Sequence, residues 1–508
     1  MQRLSVAVSA AVVMLFGIAL TLGLFGNSPS GAGDNGDGIR LFCGAGMIPD
    51  TPTGRSNWLG GVAIDFVRGP ACGVPQPSSA LVALRLAGMG EDPFSLTRLG
   101  WLYAIAAAVV TGVAAWALSK RGPAWALVLL PAAVPLFNID FARFFVSMFA
   151  EPAGLVGGYA VLCGLAVALT TDPGNRVERV VALVLMGAGG LVAGTAKPSF
   201  APVLAAAVVL CAVLRFGSRG WAGRVVGPLA AVAVVAAAFG PLTATVAWQD
   251  SSYKGVNTFN LVYTVVLEEI PGATAELGLT PEAQSYAGNA YFPNGPAGVP
   301  GADEIIAKGS EYRTRAWEVL AAHPGAALTA LSVGVVATES RDLVYLPSRK
   351  WLPGMVWTAP EPAVAGSQGA DRESLRAWLS SVALPWKPWV VAVLGLLAGV
   401  FALLRRTNRA LTVLCRTAGV AALIGLGVVA LAILGDGYFE VAKHVWLAAY
   451  LFDVTLLALI GAAVVAVVTA VRRRSAPDPA DGSETVEASS AEPVPTGGGD
   501  GRPANGTA

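Results

Sequence analysis

Long apolar runs alternate with short polar connections along this chain, and the lengths of the runs set its class. They occupy residues 4–25, 101–118, 123–137, 153–170, 180–196, 200–214, 225–248, 389–404, 411–434 and 445–471. About twenty apolar residues span a hydrocarbon core as an α-helix, because a helix satisfies its own backbone hydrogen bonds in lipid. The pattern predicts an all-α polytopic membrane protein with about ten transmembrane helices, eleven or twelve being the alternative count. The runs 123–137 and 200–214 are short and need protein neighbours or local thinning of the bilayer. Residues 324–338 are also apolar but too short for an ordinary span. A crossing there would carry the Arg405 cluster to the wrong side, so the stretch reads as an interfacial or re-entrant helix.

Charge then orients the helices. Lys120 and Arg121, Arg176 and Arg179, Arg215, Arg219 and Arg224, Arg405, Arg406 and Arg409, and Arg472–Arg474 all fall on one face. Short loops rich in Lys and Arg stay in the cytoplasm. Ten spans then leave both termini cytoplasmic and predict two large extracytoplasmic loops. The expected organisation is a first helix over 1–25, a first loop over 26–100, and helices two to seven over 101–248. A second loop follows over 249–388, then helices eight to ten over 389–471 and a disordered cytoplasmic tail over 472–508. The first loop carries turn signals without strand alternation. The second contains helix starts near Thr280-Pro281-Glu282 and a helical stretch over 303–322. Trp351, Trp357, Trp378, Trp386 and Trp389 mark its end as lying at headgroup level.

Composition narrows the chemistry. Apolar residues make up 55% of the chain and charged ones only 13%, about half the charge of a soluble protein, so the protein is membrane-integral. A net charge of +1 argues against nucleic acid as a partner. No small-x-small site follows the first apolar run, which reads as an uncleaved anchor. Two distant histidines and no Cys/His cluster argue against a zinc enzyme, and the absence of a Walker loop or dinucleotide fingerprint argues against nucleotide binding. Cys163, Cys211 and Cys415 lie in or beside spans as small packing residues. Cys43 and Cys72 share the first loop and, in an oxidising compartment, are candidates for a disulfide contributing roughly 3–4 kcal/mol.

Polar groups return repeatedly to the outer face. Asp34 and Asp37 lie in the acidic turn Asp34-Asn35-Gly36-Asp37-Gly38-Ile39-Arg40 soon after the first span, where glycines let a carboxylate approach a ligand. Arg143 precedes the stretch 147–152, which ends in Glu151 and Pro152, and Lys197 sits between the fifth and sixth spans. Residues 440–444, with Lys443 and His444, open the tenth span, and Asp453 lies deeper in it. Singly, each reads as a solvated or snorkelling residue at a span end, and His323 as a turn residue. Together they supply acids to activate a hydroxyl and bases to hold an anionic phosphate. Asp34 and Asp37 also offer a site at which a divalent metal is possible without being required.

At these residues the chain resembles membrane-integral GT-C glycosyltransferases, which take a sugar from a polyprenyl-phosphate carrier. Residues 35–40 match the essential acid of that superfamily's first outer loop in position. Residues 147–152 look like the Ser-x-x-x-Glu-Pro stretch of its bacterial envelope-glycan members, and residues 195–198 like their lysine loop. Residues 323–325 with 341–345 resemble their juxtamembrane helix and the turn after it, and residues 440–444 with Asp453 their last-span signature. The resemblance covers roughly residues 1–455 as scattered short motifs. A glycine follows Asp37 where the family pairs two acids, so both Asp37 and Asp34 stand as the base.

The resemblance implies an inverting glycosyl transfer at the extracytoplasmic face of the plasma membrane, to a glycan, lipid or protein acceptor. Asp37 is the expected base. Lys197, helped by Arg143 or Arg341, is expected to neutralise the departing lipid phosphate, while Glu151 binds sugar hydroxyls or orients the acceptor. Arg40, Lys443 and His444 complete the expected substrate-binding set. The rival readings are a transporter or flippase of lipid-linked sugars, and a glycan polymerase or ligase that relies on arginines in its large outer loop.

Overall fold

The computed structural model describes residues 1–26, 29–33, 36–50, 63–88, 92–217, 221–292, 295–340, 387–405 and 408–474. Its long helices, in chain order, are α1 (Gln2–Leu22), α2 (Leu96–Leu118), α3 (Glu151–Thr170), α4 (Arg176–Ala196), α5 (Ala201–Val213) and α6 (Trp221–Asn260). They continue as α7 (Gly309–Ala322), α8 (Pro324–Ala337), α9 (Lys387–Leu404), α10 (Arg409–Asp436) and α11 (Trp446–Arg474). Among the described residues, eight helices are long and apolar enough to cross a membrane, or up to ten if each of two bent pairs is one span. The protein is an all-α multi-pass membrane protein that carries one small sheet among the described residues. Its contacts divide it into two compact units, Met1–Val465 and Ala466–Ala508, and the site described below belongs to the first.

Helix α3 is the core of that unit, with every residue but Leu169 buried. It packs on α4 through backbone. A Cβ on Gly157 would stand 2.5 Å from the Gly189 carbonyl oxygen, and one on Gly189 would stand 2.6 Å from that of Gly157. Membrane helices gain little from burying apolar surface against each other, so close packing of small residues supplies the attraction. The outer helices show the opposite pattern. Leu4, Val8, Val12 and Phe16 of α1, and Leu394, Leu397 and Val400 of α9, are exposed, as side chains solvated by lipid should be.

One set of helix ends is tied by ion pairs. Arg3 and Lys120 meet Glu178 at 2.9 and 3.1 Å, and Arg121 and Arg409 meet Asp172 at 2.6 and 3.0 Å. The opposite ends of α1, α3, α4, α10 and α11 present the residues of the site.

Several apolar runs fold differently from expectation, each for a local reason. Residues 123–137 form 3-10 and α turns rather than one continuous α-helix, then bend by 70° into Ile139–Phe145. Pro131 and Pro135 withhold the amide hydrogens a continuous helix needs. The run near 200–214 yields only α5 after the 3-10 turn Pro198–Phe200. Residues 324–338, by contrast, form the helix expected there, α8, which turns by 106° from α7 as a broken span or a re-entrant segment does. Pro324 disfavours helical geometry at the residue before it, and His323 accordingly has ψ 68°. The helical stretch expected over 303–322 is split into Ala302–Ala307 and α7.

The loops are more structured than their turn signals suggest. The first contains antiparallel strands β1 (Met47–Pro49), β2 (Asp65–Arg68) and β3 (Phe94–Ser95), ordered β1-β2-β3 with Ile48 opposite Val67 and Phe66 opposite Phe94. Such strands are too short for an alternating pattern to register in sequence. Residue 248 is not the end of a helix. Helix α6 runs on to Asn260 and through a π-helical turn, Leu261–Val266, because hydropathy reports where a helix leaves lipid and not where it stops. The expected tail is helical at 472–474, where α11 continues, and the rest of it, with four of the five clustered tryptophans, falls outside the described residues, while Trp389 Nε1 donates to Ser332 at 3.0 Å.

Candidate functional site

The site begins at the acidic turn. Gly36 has φ 97°, a conformation that favours glycine, whereas Gly38 is helical and caps the short helix Ile39–Phe42. Arg40 lies one turn past Asp37 on this helix, and its guanidinium meets Asp37 Oδ1 at 2.7 Å. Arg40 Nε also donates to the Tyr253 hydroxyl at 3.2 Å, and the guanidinium stacks 4.2 Å from that ring. The short helix is anchored below by the Cys43–Cys72 disulfide, which joins residues 29 positions apart with Cα atoms 5.1 Å apart.

Lys443 closes the other side of Asp37. It sits on the one-turn helix Val441–His444, and its ammonium donates to Asp37 Oδ2 and, at 3.1 Å, to Glu440 Oε2. The Phe149 ring lies 5.1 Å from Lys443 Nζ. Glu440 is the one non-glycine residue with positive φ among the described residues, at 43°. Backbone held in that region persists only where its surroundings enforce it. A second ion pair joins Lys197 to Glu151 at 2.9 Å. Pro152 suits the first turn of α3, where an amide hydrogen has no helical partner, and a carboxylate at residue 151 is favoured by the helix dipole.

A polar relay flanks these pairs. His444 Nδ1 lies 3.3 Å from Asp436 Oδ2, and Asn260 donates to Asp436 Oδ1 at 2.8 Å. Oriented to satisfy its neighbours, the Asn257 amide also donates to Asp436 at 3.3 Å. The groups share one field. Burial alone would raise the Asp37 carboxyl, but Lys443 and Arg40 outweigh it and hold the group below the usual carboxylate range, with a further contribution from Lys197. Burial would lower the Lys443 ammonium, yet Asp37 and Glu440 hold it above its ordinary value. Burial, then Lys197 and Lys443, push His444 well below 6.5. The imidazole is therefore neutral, with Nδ1 turned towards the Asp436 carboxyl.

That neutral histidine has a measurable consequence. In the unfolded chain His444 takes up a proton as pH falls below about 6.5, while in the folded protein it does not. The stability it contributes above that pH is thus lost as pH falls, by up to about 1.4 kcal/mol per pH unit. His444→Gln should lose stability more gently than the parent between about pH 6.5 and 5. Thermal unfolding across that range, in detergent, checks this; parallel curves for the two proteins would contradict it.

The structure thus brings together Asp37, Arg40, Glu151, Lys197, Lys443 and His444. Arg143 is buried in the 3-10 turn Arg143–Phe145 that leads towards α3, and Asp453 is half-buried on α11. Asp34 and Arg341 lie outside the described residues. Sequence reasoning missed Tyr253, Asn257, Asn260 and Asp436, and gave Glu440 no role of its own. A signal was present, since 253, 257 and 260 recur at helical spacing on one face of α6. His323 is a turn residue, with Nδ1 2.9 Å from the Val319 carbonyl.

Chemically, three cations, Arg40, Lys443 and Lys197, and the carboxylates paired with them are gathered in one polar cluster. Among the described residues no group of three or more His, Cys, Asp or Glu side chains is arranged to hold a metal ion. A divalent ion at Asp37 would meet Lys443 and Arg40 there.

The protein-family model described as the YfdI N-terminal transmembrane domain matches residues 1–338 and 365–482. Among curated proteins and among solved structures, none matches the chain. With nearly the whole length of its membrane region covered by that match, the chain belongs to the family of the YfdI N-terminal transmembrane domain.

Proposed function

We propose that the protein is an inverting membrane glycosyltransferase, GT-C-like, that moves a sugar from a polyprenyl-phosphate carrier to a glycan, lipid or protein acceptor. The observation that carries this reading is the meeting of Asp37 with Arg40, Lys443 and Lys197 at one end of the helices. In the reaction an acceptor hydroxyl oxygen attacks the anomeric carbon on the face opposite the phosphate. The bond from that carbon to the phosphate oxygen breaks, its electron pair stays on the phosphate, and the hydroxyl proton passes to the Asp37 carboxylate. A carboxylate suffices as base because the transition state is cation-like at the sugar, so proton transfer need only be partial.

Arg40, Lys443 and Lys197 neutralise the charge that grows on the leaving phosphate. Glu151, held by Lys197, faces sugar or acceptor hydroxyls, and the neutral His444 imidazole offers a further hydrogen-bonding group to a hydroxyl. The ion-paired ends of α1, α2, α4 and α10, rich in Lys and Arg, suit the cytoplasm. Asp37 and the disulfide then face the extracytoplasmic side of the plasma membrane. The test is an assay of purified protein with a panel of polyprenyl-phosphate sugars and a cell-envelope extract as acceptor. One donor should release polyprenyl phosphate; no release from any donor would count against the reading.

A further inference from the structure

We infer that a cleft on the far side of α6 from Tyr253 is a second binding site, one that takes a neutral saccharide and holds the acceptor glycan by sugar units remote from the reacting hydroxyl. The assignment to the acceptor rests on the transferase reading. The cleft and the class of its ligand rest on geometry.

Helix α6 carries about three turns past the apolar run that ends at residue 248, and α7 begins beside them. The chain segments meet through glycines. A Cβ on Gly255 would stand 2.8 Å from the Ile306 carbonyl oxygen, and one on Gly309 would stand 3.5 Å from the Gly255 Cα. Beside this crossing lies a cleft of about 540 Å³, within the range of about 300–1,000 Å³ usual for small-ligand sites. Ser251 and Gly255, which line it, lie about half a turn from Tyr253 on α6. The cleft therefore backs on the face whose Tyr253 holds Arg40. A helix is about 10 Å across, so a glycan seated here reaches Asp37 only with units beyond those it seats.

The lining sets the ligand class. Pockets for apolar ligands are dressed with hydrophobic and aromatic side chains. Among the described residues, this cleft is lined by no aromatic side chain, and Val256 and Ile306 are its only large apolar ones. Each charged side chain in it already has an opposite charge. Asp250 meets Lys254 and Arg313, both at 3.4 Å, Lys308 meets Glu304 at 2.9 Å, and Glu311 meets Arg315. Charges paired in this way exert little net pull on an anion or a cation, which disfavours a phosphate or a lipid headgroup. Their remaining lone pairs and N–H groups still bond hydroxyls. Ser252 on α6 and Ser310 on α7 are exposed, and among the described residues their hydroxyls have no hydrogen-bond partner. Carboxylates, ammonium groups and free hydroxyls together match the dense donors and acceptors of an uncharged sugar ring.

Ser252→Trp and Ser310→Trp each carry a ring into the cleft from one wall, and one variant serves if the other misfolds. The probe is the neutral oligosaccharide fraction released from the envelope extract by mild acid, titrated calorimetrically into full-length protein in detergent. The parent should bind it, and each variant should bind it more weakly on the order of tenfold. No binding by the parent, unchanged binding by the variants, or binding of the anionic fraction in place of the neutral one overturns the saccharide site. Transfer assays form the second arm. The variants should raise the KM for acceptor on the order of tenfold and leave kcat and the KM for donor unchanged. An unchanged acceptor KM overturns the acceptor assignment and leaves the transferase reading intact. If the parent transfers no sugar while the variants still lose binding, the saccharide site stands and the transferase reading falls.

Discussion

Asp37→Asn is expected to lower the rate of glycosyl transfer by about 10²–10⁴, the range typical of removing a general base. The amide keeps the size and shape of the side chain but cannot take the acceptor's proton. A solvated residue in a linker would not produce a loss of that size. The loss should fall on turnover rather than on the apparent affinity for donor, because Arg40, Lys443 and Lys197 all remain. Steady-state rates with a lipid-linked sugar donor check this. Near-parental turnover would move the base elsewhere, with Asp34 the first residue to test.

Lys443→Met should produce the largest loss of stability of any single change at the site, about 3 kcal/mol. The ammonium has 3% exposure and bridges Asp37 and Glu440, so its removal leaves two carboxylates facing one another with less compensation. The figure is placed at the low end of the range for breaking a buried pair because Arg40 still neutralises Asp37, and Asp37 reaches solvent. Glycosyl transfer should be lost as well. The double variant Asp37→Asn/Lys443→Met separates the two effects, since it removes one stranded carboxylate and should recover part of the stability without recovering activity. Unfolding measured for both single variants and the double variant checks the pair. Additive losses would contradict direct coupling between Asp37 and Lys443.

Much of this arrangement is legible in the sequence. The helices followed from apolar run lengths, and Asp37, Glu151, Lys197, Lys443 and His444 were placed at one face by counting crossings. Sequence could not say who pairs with whom. Lys197 at a span end reads as a snorkelling anchor until Glu151 is found 2.9 Å away. Tyr253, Asn257 and Asn260 were hidden because the chain turns polar at residue 249, which resembles a loop although the helix continues. Asp436 was hidden just past the apolar run 411–434, and its hydrogen-bond partner Asn260 lies 176 positions away. The short strands of the first loop left no periodic trace, since two to four residues do not establish a period of two.

The central claim, that the site transfers a sugar from a lipid phosphate, is tested most directly in proteoliposomes loaded with a polyprenyl-phosphate sugar labelled in the sugar. With envelope acceptor present, the parent protein should move the label to the acceptor and leave unlabelled polyprenyl phosphate, while Asp37→Asn should do neither. Label that stays on its lipid and crosses between leaflets intact, equally in both proteins, would contradict the account and identify a transporter.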